Sequence, residues 1–185
     1  RLIYWILLKR RLDMFGLFKN KKQPSGAELA EEGLKQIAIA IKKDAIKLEQ
    51  GRIFNDIYVH ADFPNSTPRV SYVVFSPSIQ NQVIGRCVIL LDRSHEGIPI
   101  WQIDWAVLTQ YRSKGFGTSI ATKAIIEFVN GMKGKLKQGF FIEAVVDENN
   151  EASKKIARSI LGNEQITFNK STGLHVHSFI KRFNE

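Results

Sequence analysis

The run Tyr111-Arg112-Ser113-Lys114-Gly115-Phe116-Gly117-Thr118 constrains this chain more than any other part of it. It joins a strand-like run, Ile100 to Leu108, to a helix-like run, Thr118 to Val129. Two glycines separated by one residue let the backbone approach a ligand closely. The helix that follows turns its free N–H groups and the positive end of its dipole back on the loop. Arg112 and Lys114 add positive charge. A strand, a glycine turn, a helix start and basic side chains in that order make a site for a di- or polyphosphate group.

The identity of the phosphate ligand follows partly by elimination. The P-loop pattern G-x-x-x-x-G-K-[ST] is absent. The dinucleotide fingerprint needs a third small residue, and this chain has Ile120 there. No acidic residue closes a following parallel strand at the right distance for a ribose. What remains is R-x-x-G-x-G, written by Arg112, Gly115 and Gly117.

A second pattern follows the first. Phe140 to Val146 is an apolar strand that runs into Asp147-Glu148-Asn149-Asn150-Glu151-Ala152-Ser153 and a helix from Ala152 to Leu161. Val146, Asn150, Ser153 and Gly162 write V-x-x-x-N-x-x-S, a helix and a closing glycine. Asparagine and serine are also ordinary turn and cap residues. The two patterns, in this order, resemble the GNAT superfamily of acetyl-CoA-dependent N-acetyltransferases over roughly residues 83–183.

That resemblance implies an α/β (α+β) fold. A central, mostly antiparallel mixed sheet would be flanked by helices, with a splay between the motif strand and the next strand. It implies acetyl-CoA (coenzyme A) as cofactor and a transferase, or acyltransferase, activity. By the resemblance, the N–H groups at Val107 and Leu108 hold the pantetheine and thioester. The loop Arg112, Ser113, Lys114, Gly115, Phe116, Gly117 and Thr118 holds the pyrophosphate. Asn150 hydrogen-bonds the pantetheine arm, and Ser153 is a further cofactor-binding residue. The acceptor is a primary amine of a small molecule or of a protein. The alternative is a GNAT-fold protein that binds acyl-CoA without efficient catalysis, as a sensor or structural module.

The rest of the chain is read from its pattern. Ser25 and Glu28 form a capping box. The spacing predicts a helix from there to about Gln50, with Leu34, Ile37, Ile41, Ala45 and Leu48 on one face and Gly51 closing it. Strands follow over Asp56–Asp62, Arg69–Ser76, Val83–Asp92 and Ile100–Leu108. A last hairpin spans Gln165–Asn169 and Leu174–Arg182, turning at Ser171-Thr172-Gly173. Lys133 to Lys137 reads as a solvated loop, with a rim for the cofactor's 3′-phosphate as the sharper reading. The order departs from the resembled family in one respect. The family places one or two helices between its first two strands, whereas here the long helix comes first and Pro64 to Pro68 is a short loop. Residues 2–8 are a candidate for the displaced first strand.

The net charge of +9 is unevenly placed. Residues 1–22 hold seven basic residues and one acid, which leaves the rest of the chain at +3. The expected organisation is therefore a basic tail over residues 1–22, disordered or partly of cloning origin, and a single GNAT-like domain over residues 23–185. Met14 reads as a natural start. Leu2 to Leu8 is apolar but far short of the ~20 residues of a membrane span. An anchor on a membrane surface is the sharper reading of that tail. The single cysteine, Cys87, falls in an apolar strand pattern and is expected to be a buried thiol. No nucleic acid, no membrane span and no metal are expected. A cytoplasmic location is, and the sequence leaves monomer and homodimer both open.

Acetyl transfer needs a neutral amine, a polarised thioester oxygen and a tolerable thiolate leaving group. Asp104 interrupts the apolar motif strand and is the candidate catalytic base. Desolvation there would raise its pKa. The plainer reading is a solvent-facing strand carboxylate. Glu143 and Glu96 stand behind it. The resembled family often carries a tyrosine acid four residues after the serine, and Ala157 stands there instead. His175 and His177 alternate onto one face of the last strand and read as surface or lightly buried groups.

Overall fold

The computed structural model describes residues 24–169 and 174–184. The tail over residues 1–22, the candidate strand at 2–8 and the turn at Ser171–Gly173 lie outside the described residues. Three α-helices and eight strands are described. They are α1 (Gly26–Lys42), β1 (Glu49–Gln50), β2 (Tyr58–Asp62), β3 (Arg69–Phe75), β4 (Val83–His95), β5 (Ile98–Val107), α2 (Phe116–Met132), β6 (Phe140–Asp147), α3 (Glu151–Leu161), β7 (Glu164–Asn169) and β8 (Leu174–Phe183). The strands form one sheet in the order β1-β2-β3-β4-β5-β6-β8-β7. Every pairing is antiparallel except β5 with β6. This is the mixed, mostly antiparallel sheet flanked by helices that the resemblance implied.

The α1 cap is the one expected. Ser25 Oγ accepts from Glu28 N at 3.2 Å, and Glu28 Oε2 accepts from Ser25 N at 2.6 Å. The C-terminus is not the one expected. The helix stops at Lys42, not near Gln50. Asp44 takes the left-handed conformation, φ 51°. Asp44 N donates to Ile41 O at 3.0 Å and Ala45 N to Ala40 O at 2.9 Å. That pair of bonds is a Schellman closure, with an aspartate in the place usually held by glycine. Ala45 is accordingly exposed, and Glu49–Gln50 is a short strand paired with β2. The β4–β5 turn is also tighter than expected. Glu96 and Gly97, at φ 51° and 80°, make a two-residue turn of the type that matches strand twist, and Pro99 lies in the ladder opposite Ser94.

Apolar side chains leave the sheet on both faces. One face packs Cys87, Ile89, Trp101, Ile103, Ile142, Ala144 and Phe179 against Ile120, Ala124 and Phe128 of α2 and Ala157 and Leu161 of α3. The other packs Val73, Val83 and Ala106 against Ala30, Leu34 and Ile37 of α1. Gly33 makes that second contact close, since a methyl group there would meet Arg86 Nη1 at 2.2 Å. Glu127 is a buried carboxylate on α2 that organises the loop before β2. It accepts from Arg52 N, Ile53 N and Phe54 N at 3.1, 2.8 and 2.9 Å. Gly51 does not close α1. It sits in that loop, where a methyl group would lie 2.5 Å from Glu127 Oε1. Cys87 is fully buried as expected, and burial pushes its thiol well above the ordinary range. No helix among the described residues is long and apolar enough to cross a membrane.

Candidate active site

The parallel pair β5–β6 is in register only at Ile100↔Phe141, Trp101↔Ile142 and Gln102↔Glu143. Beyond Gln102, β5 runs on to Val107 and β6 to Asp147 with no registered pairing between them. The sheet therefore opens into a wedge toward the C-terminal ends of both strands. Chain order forces the next elements to its mouth: the glycine loop follows β5, and the Asn150 turn follows β6.

The backbone of the inner edge of this wedge can be assigned from the antiparallel ladder. Gly85 faces Val107, and Leu108 N donates to Ile84 O at 2.9 Å. In such a ladder alternate residues direct both backbone groups to one neighbour. Leu108, Ala106 and Asp104 thus point their amides at β4, whereas Val107 and Trp105 point theirs into the wedge. Val107 O accepts from Arg112 Nε at 3.1 Å. Of the two amides assigned to the thioester, the one at Val107 faces the opening and the one at Leu108 is engaged by β4.

The loop has the geometry of an anion site. Gly115 is the N-cap of α2 at φ 81°, a conformation glycine adopts without strain, and no side chain caps the helix. The first N–H groups of α2, at Phe116, Gly117 and Thr118, have no partner within the helix. Ser113 also lies at positive φ, 58°. Gly117 has a different reason to be glycine: a methyl group there would lie 3.0 Å from Ile156 Cδ1, so it lets α2 and α3 approach across the wedge. Phe116 packs edge-on to Tyr111, with centroids 5.8 Å apart. The two loop cations have protein partners. Arg112 Nη2 pairs with Glu31 at 2.5 Å, and Lys114 Nζ donates to Gln110 O at 3.0 Å.

On the β6 side, Asn150 is the N-cap of α3 and its Oδ1 accepts from Ser153 N at 3.1 Å. The ordinary capping role is therefore filled, and the amide NH₂ takes no part in it. Ala157 is fully buried in the main core. Lys133 to Lys137 follow the far end of α2, a helix of 17 residues, so at 1.5 Å per residue they stand about 25 Å from the glycine loop. The 3′-phosphate rim is thus excluded for them by distance.

The acid–base candidates separate clearly. Asp104 is exposed on the α1 face of β5, the solvent-facing position of the plainer reading, and it is not desolvated. Glu143, at the apex of the wedge, is 7% exposed. Its carboxylate meets Arg93 Nη1 at 2.7 Å and Ser178 Oγ at 2.7 Å. Burial alone would raise this carboxyl, but Arg93 and Ser178 more than offset it, so it is held below the usual range. A carboxylate held that way is a poor proton acceptor. Glu96 lies in the β4–β5 turn, at the opposite end of β5 from the mouth. His177 Nδ1 bonds Glu164 Oε1 at 2.6 Å, and His175 lies 3.5 Å from Glu148. No group of three metal-ligating side chains occurs among the described residues. The link from Asp147 Oδ2 to Gly26 N, 2.9 Å, has no sequence signal because the two residues are 121 apart.

No family model matches the sequence, and no curated protein matches it. Solved structures do. The chain is similar to GNAT-family acetyltransferases of known structure. One is an acetyltransferase of that family from Streptococcus pneumoniae, 15% identical, with a TM-score of 0.47 over 63% of this chain and 67% of the other. Another is NAA60 from Arabidopsis thaliana in complex with a bisubstrate analogue, 15% identical, with a TM-score of 0.47 over 63% of this chain and 77% of the other. A spermidine N-acetyltransferase from Vibrio cholerae covers more, 80% of this chain and 89% of its own, at 11% identity and a TM-score of 0.46. The likeness lies in the arrangement of strands and helices and assigns no residue a role.

Proposed function

We propose that this chain is an acetyl-CoA-dependent N-acetyltransferase acting on a primary amine of a small molecule or a protein. The observation that carries the reading is the wedge between β5 and β6 with an uncapped helix start at its mouth. In this reading the cofactor diphosphate takes the N–H groups from Ser113 to Thr118, where the dipole favours negative charge. The pantetheine arm lies along the inner edge of β5, and the Val107 N–H polarises the thioester oxygen. The NH₂ of Asn150 meets the arm, and Ser153 stands beside it. The amine approaches on the α1 face, where Asp104 takes its proton directly or through water. Attack on the thioester carbon forms the C–N bond. Collapse would then break the C–S bond, with the proton that the attacking nitrogen sheds passing through water to the departing thiolate, so that coenzyme A would leave as the thiol.

A second reading is favoured by one observation. Ala157 occupies the position where the resembled family often has its acid, and it is sealed in the core. A chain that binds acyl-CoA without turning it over would look the same there. Calorimetric titration with coenzyme A tests the site. Thiol release from acetyl-CoA with a panel of primary amines tests the reaction. Binding with turnover supports the first reading, binding without turnover the second, and no binding rejects both.

A further inference from the structure

The wedge is open along its length within the sheet, yet its two arms are joined at the mouth. On the α2–α3 face the join is the contact of Gly117 with Ile156. On the other face it is α1. Gly26 N donates to Asp147 Oδ2 at the tip of the β6 arm, 2.9 Å. Five residues further along the helix, Glu31 Oε1 meets Arg112 Nη2 at 2.5 Å. Arg112 in turn holds the last carbonyl of the β5 arm, Val107 O, through its Nε at 3.1 Å. Between these two ties Ala30 is buried in the cluster that holds Ala106, with Leu108 packed against it. The first two turns of α1 thus reach from the tip of one arm to the tip of the other.

We infer that this end of α1 is a clasp that sets the width of the wedge, with Asp147 and Glu31 as positioning residues for the cofactor arm lying between β5 and β6. The inference rests on the cofactor assignment above. Neither carboxylate needs to touch the cofactor. Each fixes one strand end relative to the other through α1. A clasp of this kind matters to a ligand whose arm enters the wedge. It does not matter to one that ends at the diphosphate.

That difference supplies the test. Asp147→Ala and Glu31→Gln are compared with wild type for coenzyme A and for adenosine 3′-phosphate 5′-diphosphate, the same molecule without its pantetheine arm. The truncated ligand ends in a free phosphate and carries one more negative charge than coenzyme A, so loss of a carboxylate near the mouth would by itself raise the ratio of their Kd values. The ratio is therefore read in about 1 M salt, where that difference is screened. Loss of the clasp raises that ratio, by threefold to tenfold in each variant and further in the pair. An unchanged ratio overturns the inference, as does equal weakening of both ligands. Hydrogen exchange without ligand is the second measurement. Both variants should speed exchange at residues 144–150 and 107–112, and unaltered exchange at both segments also overturns the clasp. If wild type binds neither ligand while exchange responds as stated, the clasp stands and the cofactor assignment fails.

Discussion

Thr118→Asp tests the cofactor site most directly. Thr118 is the third residue of α2 and is exposed. A carboxylate in the first turn of a helix interacts well with the dipole, by about 0.3–1 kcal/mol. The folded chain should therefore be as stable as wild type or slightly more so. Toward a diphosphate the same carboxylate is repulsive. At a separation of about 5 Å and an effective dielectric between ~20 and ~80, each phosphate charge costs about 1–3 kcal/mol. Binding should then weaken tenfold or more. Thr118→Asn, which has nearly the shape and no charge, should keep its affinity. Gly117→Asp is the poorer probe, because its side chain would also push Ile156 away from α2.

Calorimetry reads the affinity, and thermal unfolding gives an independent check. Ligand at about a hundred times its Kd stabilises the folded state by about 2.7 kcal/mol. For a chain of this length that raises the Tm by roughly 5–10 °C. Coenzyme A should produce that rise in wild type and in Thr118→Asn, and little of it in Thr118→Asp. Equal affinity in the Asp and Asn variants would refute the placement of the diphosphate at the start of α2.

Four further outcomes are expected. Asn150→Ala should cost about 1 kcal/mol of stability through the lost cap, whereas Asn150→Asp should keep the cap yet weaken coenzyme A binding by about 1–2 kcal/mol; equal binding by Asp and wild type would leave Asn150 a cap alone. Glu143→Gln should lower stability near neutral pH by about 1–3 kcal/mol, less than for a fully buried pair because Arg93 is 47% exposed. Because the folded carboxyl is depressed, its contribution is complete above the unfolded value of about 4.3 and fades as pH falls through the folded value, so denaturation curves of the two forms should converge in acid. Gly51→Ala should lower the Tm, since the new methyl meets both Glu127 Oε1 and Phe54 O at 2.5 Å; an unchanged Tm would show that the loop shifts freely. Asp104→Asn should reduce turnover about 10²-fold or more with coenzyme A affinity unchanged, and a pH–rate profile identical to wild type would remove Asp104 from the reaction.

What the sequence made legible was local. The strand, glycine loop and helix around Gly115, the strand and cap around Asn150, and the capping box at Ser25 are each set by residues within a few positions of one another. The α1 boundary was missed because Asp44 adopts the left-handed conformation that sequence reading assigns to glycine. Roles that depend on distant residues were also missed. The ties of Arg112 to Glu31 and of Asp147 to Gly26 bring together residues 81 and 121 apart. The Glu143 pair depends on the long β4 arm delivering Arg93 and on β8 delivering Ser178. For Asp104 the apolar strand neighbours support either a desolvated base or a solvent-facing carboxylate, and the structure bears out the second: those neighbours point to the opposite face or lie under α1, and Asp104 itself is exposed.

The position of α1 follows from the same separation of local and distant requirements. The wedge, its glycine loop and its Asn150 turn come from one continuous stretch, β5–α2–β6–α3, whose order cannot change without moving the site. The opposite face of the sheet makes a weaker demand. Val73, Val83 and Ala106 need an apolar cover, and any amphipathic helix of the right length supplies one. Here that helix comes before all the described strands, and Pro64 to Pro68 joins β2 to β3. The helix keeps an attachment to both arms of the wedge because its N-terminal end, not its C-terminal end, lies at the mouth. Free N–H groups at that end suit the Asp147 carboxylate, as they would any anion. The connectivity of α1 is therefore open to variation in a way that the loop at Gly115 is not. On the proposed cofactor assignment, substitutions on α1 should change how tightly the pantetheine arm is held, and substitutions at the loop should decide whether the cofactor is held at all.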